Sequence, residues 1–432
     1  MTTTVPPGHP PAAAAAVPMP GAPVAARTGR PTPTRMRLRA AALVVVGVLV
    51  AIAGGWSFAS ADAALARADA NAAQLVRLQE LQTRLVSADA SATNAFLVGG
   101  LEPADRRAVY DDALTSAAGL VAQAARAQPA DGTVLSALNA SILDYAAGIE
   151  QARAANRQAL PVGAQYLRNA SATLRTDALP ALAALIDANE VRVADEFSAA
   201  ERAWVLVVVA SVLALAGVVA ASVWLARHTH RYVNLPLAGA ALVLLVLLVG
   251  SGVALWSVAA DVDRVRSEPF AAASALSRAR LAAYDAKANE SLTLISRGSG
   301  QTFEDAWVVS SDTTVVALQE ASATGTVPRD LDGTWEPYAA QHQAIRDLDD
   351  GGAWEDGVAA ATNDAEGSAN AAFAEFDAAS ADALRTTSEQ TSVGLGAARG
   401  GLVLGLWLAA LAGLAVAVLC WTGFARRLEE YR

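Results

Sequence analysis

The stretch AAALVVVGVLVAIAGGWSFA, residues 40–59, decides the fold, because it runs for 20 residues without a charge. A helix needs about 20 apolar residues to cross the hydrocarbon core of a bilayer, so this stretch predicts a transmembrane helix. Three further stretches satisfy the same criterion and also lack Asp, Glu, Lys, Arg and His: 203–225, 235–260 and 401–423. The sequence therefore predicts an all-α membrane protein with four transmembrane helices.

The spacing of these four stretches divides the chain into two similar halves. Between the first two lie residues 60–202, and between the last two lie residues 261–400. Only the short segment 226–234 joins the second stretch to the third. We therefore predict two large domains, each held between two transmembrane helices, and a tight hairpin between the halves.

The placement of the arginines predicts on which side of the membrane the two domains lie. The segments 1–39, 226–234 and 424–432 carry ten arginines and two acidic residues. Short arginine-rich segments stay in the cytoplasm, whereas long domains are translocated largely regardless of their charge. We therefore expect a multi-pass plasma-membrane protein with both termini and the hairpin in the cytoplasm. Both large domains are then extracytoplasmic.

The segment 1–39 is expected to be a disordered cytoplasmic tail. Its first 33 residues are rich in Pro, Ala and Thr and contain no acidic residue, so they cannot bury enough apolar surface to fold. An alternative is that the first apolar stretch is a cleaved secretory signal, because Ala59-Ser60-Ala61 imitates an A-x-A cleavage site.

Each large domain is predicted to be a four-helix bundle. Apolar residues recur at helical spacing, and no alternating strand pattern is present. Clusters of Gly and Pro, which end helices, divide each domain at three places. These breaks are 99–103, 129–132 and 160–163 in the first domain, and 298–300, 324–333 and 349–357 in the second. The outer helices of each bundle continue the transmembrane helices, and Pro180 and Pro269 are expected to kink two of them.

An internal repeat relates the two halves. Five residues recur at an offset of 196: Arg84, Leu85, Asp89, Ala90 and Ala92 correspond to Arg280, Leu281, Asp285, Ala286 and Ala288. We interpret this repeat as a duplication. The chain is then a pseudo-dimer of two tandem bundles, packed side by side as the subunits of a dimeric receptor are.

Polar residues in the first helix of each bundle are candidates for a small-ligand site between the bundles. They are Asp89, Asn94, Asp285, Asn289 and Glu290. The alternative is that these residues are solvated or make hydrogen bonds between helices.

Trp354 is a candidate contact for a docking protein or a cationic group. It falls in the predicted third turn of the second bundle, far from the membrane, among acidic residues. Rigid aromatic side chains are common anchors of recognition surfaces. An aromatic residue that packs a loop onto the bundle is the alternative.

The transmembrane stretches offer packing positions but no polar pathway. Small residues recur every four positions in the last stretch, which lets helices approach closely; they are Gly401, Gly405, Ala409 and Gly413. No ionisable residue lies within any of the stretches, and such residues mark ion and proton pathways. A pump, channel or transporter is therefore not expected. Cytoplasmic contacts are expected at Arg227, Arg231, Arg426 and Arg427.

The sequence contains no enzyme motif. It lacks a Gly-rich phosphate loop, a G-x-S-x-G elbow and an H-E-x-x-H zinc motif, and it has only four histidines and one cysteine. We therefore expect no enzyme, no cofactor and no bound metal. The acidic composition of the two domains also argues against nucleic acid as a partner.

Two membrane helices that flank a helical bundle resemble the sensor half of bacterial chemoreceptors and sensor kinases. After residue 423 only nine residues follow, so output is expected to pass to a separate protein. The doubled arrangement is similar to the GlnX-type four-span membrane proteins of actinobacteria. The most suggestive segment is Asp285-Ala286-Lys287-Ala288-Asn289-Glu290-Ser291-Leu292, which continues to Ser296-Arg297-Gly298.

This resemblance implies a transmembrane sensory relay for amino-acid availability. A glutamate- or aspartate-binding lipoprotein is the expected partner outside the cell, and a soluble Ser/Thr kinase is the expected partner inside. Membrane lipid is a further partner, and a homo-oligomer is left open. The alternatives are a non-signalling envelope scaffold and an accessory subunit of an amino-acid transporter.

Overall fold

The computed structural model describes residues 1–4, 32–98, 102–229 and 234–429. Within these ranges all regular structure is helical and no strand is present, which confirms the predicted all-α class. The α-helices are α1 Thr32–Val98, α2 Ala104–Ala127, α3 Gly132–Arg157, α4 Val162–Thr173, α5 Leu179–Arg202, α6 Trp204–Thr229, α7 Leu235–Val265, α8 Ala271–Ile295, α9 Gln301–Ala323, α10 Glu336–Asp350, α11 Trp354–Ala361, α12 Ala369–Arg399 and α13 Leu402–Glu429.

Four helical segments of the described chain are long and apolar enough to cross a membrane. They are Thr34–Val98, Val162–Arg227, Leu235–Ile295 and Ala369–Arg426, and each contains one of the predicted apolar stretches. Large apolar side chains face outward there, for example Leu213 at 67% exposure. The chain is therefore a multi-pass membrane protein. Each membrane helix continues, almost without interruption, into one of the two helical domains.

Small residues bring α1 and α13 into close contact in the apolar region. A methyl group added at Gly413 would lie 2.3 Å from the backbone nitrogen of Ala51, and one added at Gly54 would lie 2.8 Å from the Cβ of Ala409. At Gly405 the added group would lie 2.5 Å from the ring of Phe58. The absence of side chains at these positions therefore sets the distance between the two helices.

The other predicted packing glycine lies differently. Gly401 stands between α12 and α13, and a methyl group added there would meet no atom within 4 Å. Gly401 therefore lies outside the contact between α1 and α13, unlike Gly405 and Gly413.

The first helical domain, residues 60–202, is built from the part of α1 that follows residue 59, together with α2, α3, α4 and α5. Leucines and alanines of these helices form a continuous buried core, in which Leu85, Leu138 and Leu182 are at most 1% exposed. The helices end near the predicted breaks. A wider, π-helical turn, Leu174–Ala178, precedes Pro180. Proline has no N–H and its ring clashes with the carbonyl four residues earlier, so a local widening accommodates it.

The second helical domain, residues 261–400, contains the end of α7 and helices α8 to α12. An aromatic cluster fills its core, with Trp335 packed on Tyr338 and Phe376 at ring-centroid distances of 4.7 and 5.1 Å. A second π-helical turn, Arg266–Phe270, contains Pro269. Of the two prolines expected to kink helices, Pro269 therefore lies within a π-helical turn and Pro180 lies directly after one.

The last connection of the second domain differs from the predicted single turn at 349–357. The chain forms the short helix α11 there and then a second connection, 362–368, before α12 begins. Glu355 and Asp356, which suggested a loop, occupy the first turn of α11, where negative charges are favourable. Gly357 and Ala361 of the same helix are buried.

The two helical domains pack side by side through α1 and α8. Phe270 and Ile295 of the second half pack against the core of the first domain, and Leu97 of α1 packs against the core of the second. Closer to the membrane, the rings of Phe197 and Phe270 meet edge to face at 5.8 Å. The halves therefore share an apolar interface, and α1 contributes to both domains.

Candidate functional site

One arginine joins the two halves at the repeated aspartates. The guanidinium of Arg175 donates from Nη1 to Asp89 at 2.5 Å and from Nη2 to Asp285 at 2.9 Å. The side chain of Asp89 is fully buried, that of Asp285 is 32% exposed and that of Arg175 is 27% exposed. Two carboxylates at a helix contact would repel each other, and the shared cation offsets this repulsion.

Each of the two aspartates has further hydrogen-bond donors from its own half. Ser171 donates to Asp89 Oδ1 at 2.6 Å, and the hydroxyl of Tyr145 lies 3.4 Å from the same oxygen. Burial, together with the charge of Asp89, raises the pKa of Tyr145 well above its usual value, so this hydroxyl stays protonated. On the other side, Ser310 and Asn289 donate to Asp285 Oδ2 at 2.9 and 3.2 Å.

The repeated arginines also meet across the interface. Arg84 and Arg280 both bind Glu80, through Nε at 2.7 Å and Nη1 at 3.3 Å respectively. Arg280 is 5% exposed and makes a second ion pair with Asp377 at 2.7 Å. The repeated arginine and aspartate positions are therefore among those at which the two halves contact each other.

Asn94 and Arg106 of the first domain bind the end of α11 in the second. The amide of Asn94 donates to the carbonyl of Ala361 at 3.0 Å. Arg106 donates to the carbonyl of Thr362, to Asn94 Oδ1 and, at 2.8 Å, to Asp364. Carbonyls at a helix C-terminus carry partial negative charge, which a guanidinium stabilises. The connection 362–368 is thereby held against the first domain.

A cavity of about 280 Å³ lies between these contacts. Helices α1 and α2 form one wall, and α8 with the start of α12 forms the other. Its polar lining comes from both halves and includes Ser91, Asn94, Arg106, Lys287, Asp364 and Asp377. Tyr284 and Phe373 add aromatic surface. Ligand pockets commonly measure about 300–1,000 Å³, and this interdomain cavity lies just below that range, with room for a small molecule only.

Glu290 lies inside the second domain, in a buried network of charged groups. Lys287, the one lysine of the chain, donates to Glu290 at 2.7 Å, and Tyr338 donates to it at 3.2 Å. His342 lies 3.0 Å from Glu290 through Nδ1 and 3.2 Å from Glu304 through Nε2. Burial alone lowers the pKa of His342, but the hydrogen bonds to the two carboxylates raise it above its usual value.

Trp354 packs the start of α11 onto the end of α8. Its indole N–H donates to the carbonyl of Leu294 at 2.8 Å, and the guanidinium of Arg297 lies 3.9 Å from the centre of its ring. The side chain is half-buried. This position agrees with the alternative of an aromatic residue that fixes a loop, and it leaves part of the ring accessible.

The structure brings some of the predicted site residues together and separates others. Asp89, Asp285 and Asn289 share one hydrogen-bond network, and Asn94 lines the interdomain cavity. Glu290 belongs to the second domain alone. Of the four arginines that were predicted as cytoplasmic contacts, Arg227 at the end of α6 and Arg426 at the end of α13 are exposed. Arg231 lies outside the described residues, as does the side chain of Arg427.

Two functional candidates, Arg175 and Arg106, escaped the sequence analysis. Neither belongs to the repeat, because the residues 196 positions after them are Ala371 and Thr302. Arg175 precedes Pro180 by five residues, and a cation near a helix-distorting proline is the one local signal that marks it.

Comparison with known protein families finds a match over the first helical domain. Residues 60–198 match the family model described as the actinobacterial sensor domain. No curated protein and no solved structure matches the chain. The matched segment contains Asp89, Asn94, Arg106 and Arg175. Over these residues the chain is similar to actinobacterial sensor domains, and this match supports a sensory role for the membrane protein.

Proposed function

We propose that the protein is a transmembrane sensory relay that reads an extracytoplasmic signal and passes it to a separate cytoplasmic Ser/Thr kinase. The observation that carries this proposal is the continuity of α1 from Thr32 to Val98. This one helix contributes Asp89 and Asn94 to the interdomain contacts. It also packs through Ala51 against α13 in the apolar region.

The relay requires two arrangements of the helices that bind the signal unequally. The polar contacts of the interface are suited to this role, because they consist of few charged groups, which act beside the apolar contacts between the halves. A ligand or a docked protein that displaces Arg106 or Arg175 would change how the second domain sits on α1. Packed helices shift as rigid elements, so the change would reach the ends of the membrane helices.

The proposed signal is amino-acid availability, delivered by a glutamate- or aspartate-binding lipoprotein that docks on the helical domains. The resemblance of the segment Asp285–Leu292 to GlnX-type proteins supports this partner. The proposed surface for the kinase consists of the exposed Arg227 and Arg426, with Arg231 and Arg427 beside them in sequence. Both proposals assume that the helical domains are extracytoplasmic and that the termini are cytoplasmic.

Capture of partners tests the relay. The tagged full chain is expressed in its own host, cross-linked with and without added glutamate, and purified in detergent for mass spectrometry. Recovery of a Ser/Thr kinase that changes at least about threefold with glutamate supports the relay, a factor that corresponds to about 0.65 kcal/mol. A constant set of envelope proteins would instead support the scaffold, and constant recovery of a permease would support the transporter subunit.

A matched pair of variants ties the capture to the proposed surface. Replacement of Arg227 and Arg426 by Gln is expected to abolish kinase recovery and to leave the extracytoplasmic partner unchanged. The control replaces Arg385, which is 65% exposed on α12, by Gln. Equal kinase recovery by both variants would refute the proposed kinase surface.

A further inference from the structure

A second cavity lies entirely inside the first helical domain, at the end where α1, α2 and α3 meet. Its volume is about 160 Å³. The floor is apolar and includes Phe96, Ile149 and Leu167. We refer to it as the arginine cavity, because Arg107, Arg153 and Arg157 line its walls. The interdomain cavity described above shares none of these residues.

The lining of the arginine cavity is cationic. Its lining holds three guanidinium groups from α2 and α3 and one carboxylate, that of Glu102. Two carboxylates outside the lining pair with these groups: Asp111 binds Arg107, and Glu150 binds both Arg107 and Arg153. Arg153 is 8% exposed and stacks on Tyr110 at 4.1 Å. Arg157 is exposed at the end of α3 and makes no ion pair with the described residues. Planar guanidinium forks bind carboxylates in pairs of parallel hydrogen bonds, so Arg157 offers a carboxylate a second fork beside that of Arg153.

Glu102 already occupies one such fork. Nε of Arg153 binds Glu102 Oε2 at 2.8 Å, and Nη2 of Arg153 donates to Oε1 at 2.9 Å. Nη1 of the same arginine donates to Glu150, which lies outside the cavity lining. Glu102 stands directly before Pro103 and α2. An external carboxylate that takes its place on Arg153 would therefore release the segment that leads into α2.

We propose that the arginine cavity binds a small organic carboxylate, which competes with Glu102 for the guanidinium of Arg153 and is held in addition by Arg157. Glu102 is the internal occupant of the site in the ligand-free protein. Binding exchanges one bidentate ion pair for another and frees the side chain of Glu102, which stands directly before Pro103 and α2. This inference does not depend on the proposed relay, because the exchange needs no cytoplasmic partner.

Calorimetric titration of the full chain in nanodiscs of neutral lipid tests the proposal. Succinate is the probe, and succinamide, its uncharged analogue, is the control ligand. We expect succinate to bind and succinamide not to bind. Glu102→Gln removes the internal competitor and is expected to tighten succinate binding about tenfold, the factor that 1.4 kcal/mol represents. Arg157→Gln, at an exposed position, is expected to weaken binding about tenfold.

Arg126→Gln provides the matched control, because Arg126 is exposed at the other end of α2 and does not line the cavity. Its succinate affinity is expected to equal that of the unmodified chain. The proposal is overturned if the unmodified chain and Glu102→Gln both fail to bind succinate, or if succinamide binds equally well. Weaker binding by Glu102→Gln, or binding of inorganic phosphate in the absence of succinate binding, also overturns it.

Discussion

Asp89 and Asp285 bind two nitrogens of the same guanidinium, although 196 residues separate them along the chain. The repeat places an aspartate at this position in both halves, and side-by-side packing brings the two carboxylates to one place. Their surroundings differ, because Asp89 is fully buried and Asp285 is about one-third exposed. Arg175 therefore stabilises a contact that the repeated sequence alone would leave with two like charges.

Replacement of Arg175 by Gln is expected to destabilise the protein by about 3 kcal/mol, because a buried carboxylate then loses its cation. The value lies at the lower end of the usual range because Asp89 keeps its hydrogen bonds to Ser171 and Tyr145. The apparent melting temperature of the purified chain, followed by circular dichroism in nanodiscs, measures the loss.

Two further variants establish the cause of this loss. Asp89→Asn in the Arg175→Gln background removes the unpaired charge and should restore part of the lost stability. Arg385→Gln breaks only exposed ion pairs, which solvent screens, and should leave the melting temperature nearly unchanged. An equal effect of Arg175→Gln and Arg385→Gln would contradict the role assigned to Arg175.

The membrane helices and the meeting of the repeated residues could be predicted from the sequence, and Arg175 could not. Twenty uncharged apolar residues leave a helix few alternatives in a membrane, and a repeated polar pair suggests a shared contact. Arg175 lies 86 residues from Asp89 and has an alanine at the equivalent position of the second half. Arg106 binds the backbone carbonyl of Thr362, and such a partner has no sequence signature.

Contact between α1 and α13 is expected to depend on Gly413. In Gly413→Ala the new methyl group would lie 2.3 Å from the backbone nitrogen of Ala51, so the two helices must separate. Overpacking of this kind typically costs about 1–3 kcal/mol. Gly55→Ala is the matched control on α1, since a methyl group there meets no atom within 4 Å. Thermal unfolding in nanodiscs should show a lower melting temperature for Gly413→Ala only.

The stability of the second domain is expected to fall as the pH rises above neutrality. The pKa of His342 in the folded protein lies above its unfolded value, because Glu290 and Glu304 hold the protonated ring. A raised folded pKa stabilises the fold fully below the unfolded pKa, and this contribution is lost as the pH passes through the folded pKa. Lys287, Tyr338 and Arg346 complete the titratable surroundings.

The comparison of the unmodified chain with His342→Gln isolates this contribution. Melting temperatures at pH 5.5, 7 and 8.5 should differ most between the two proteins at pH 5.5 and least at pH 8.5. A constant difference across this range would mean that the charge of His342 does not stabilise the fold.

The short helix α11 marks where sequence patterns were insufficient in the second domain. A run of Asp and Gly followed by Trp-Glu-Asp-Gly is typical of a loop, and local propensity gave no reason to expect a helix of eight residues. Tertiary contacts supply the reason. Trp354 anchors its start to the carbonyl of Leu294, Asn94 binds its last carbonyl, and Arg106 binds the carbonyl of Thr362 directly after it.

The main role of Trp354 is expected to be this anchoring of α11. Two substitutions distinguish it from a role as a docking contact for another protein. Trp354→Phe keeps an aromatic ring under Arg297 but removes the hydrogen bond to Leu294, which should cost about 1 kcal/mol. Trp354→Ala also removes the buried ring surface and should cost about 3 kcal/mol or more. Melting temperatures should fall in this order. If Trp354→Phe instead leaves the melting temperature unchanged while capture of the proposed docking partner is lost, the exposed part of the ring is a docking contact and the anchoring role is wrong.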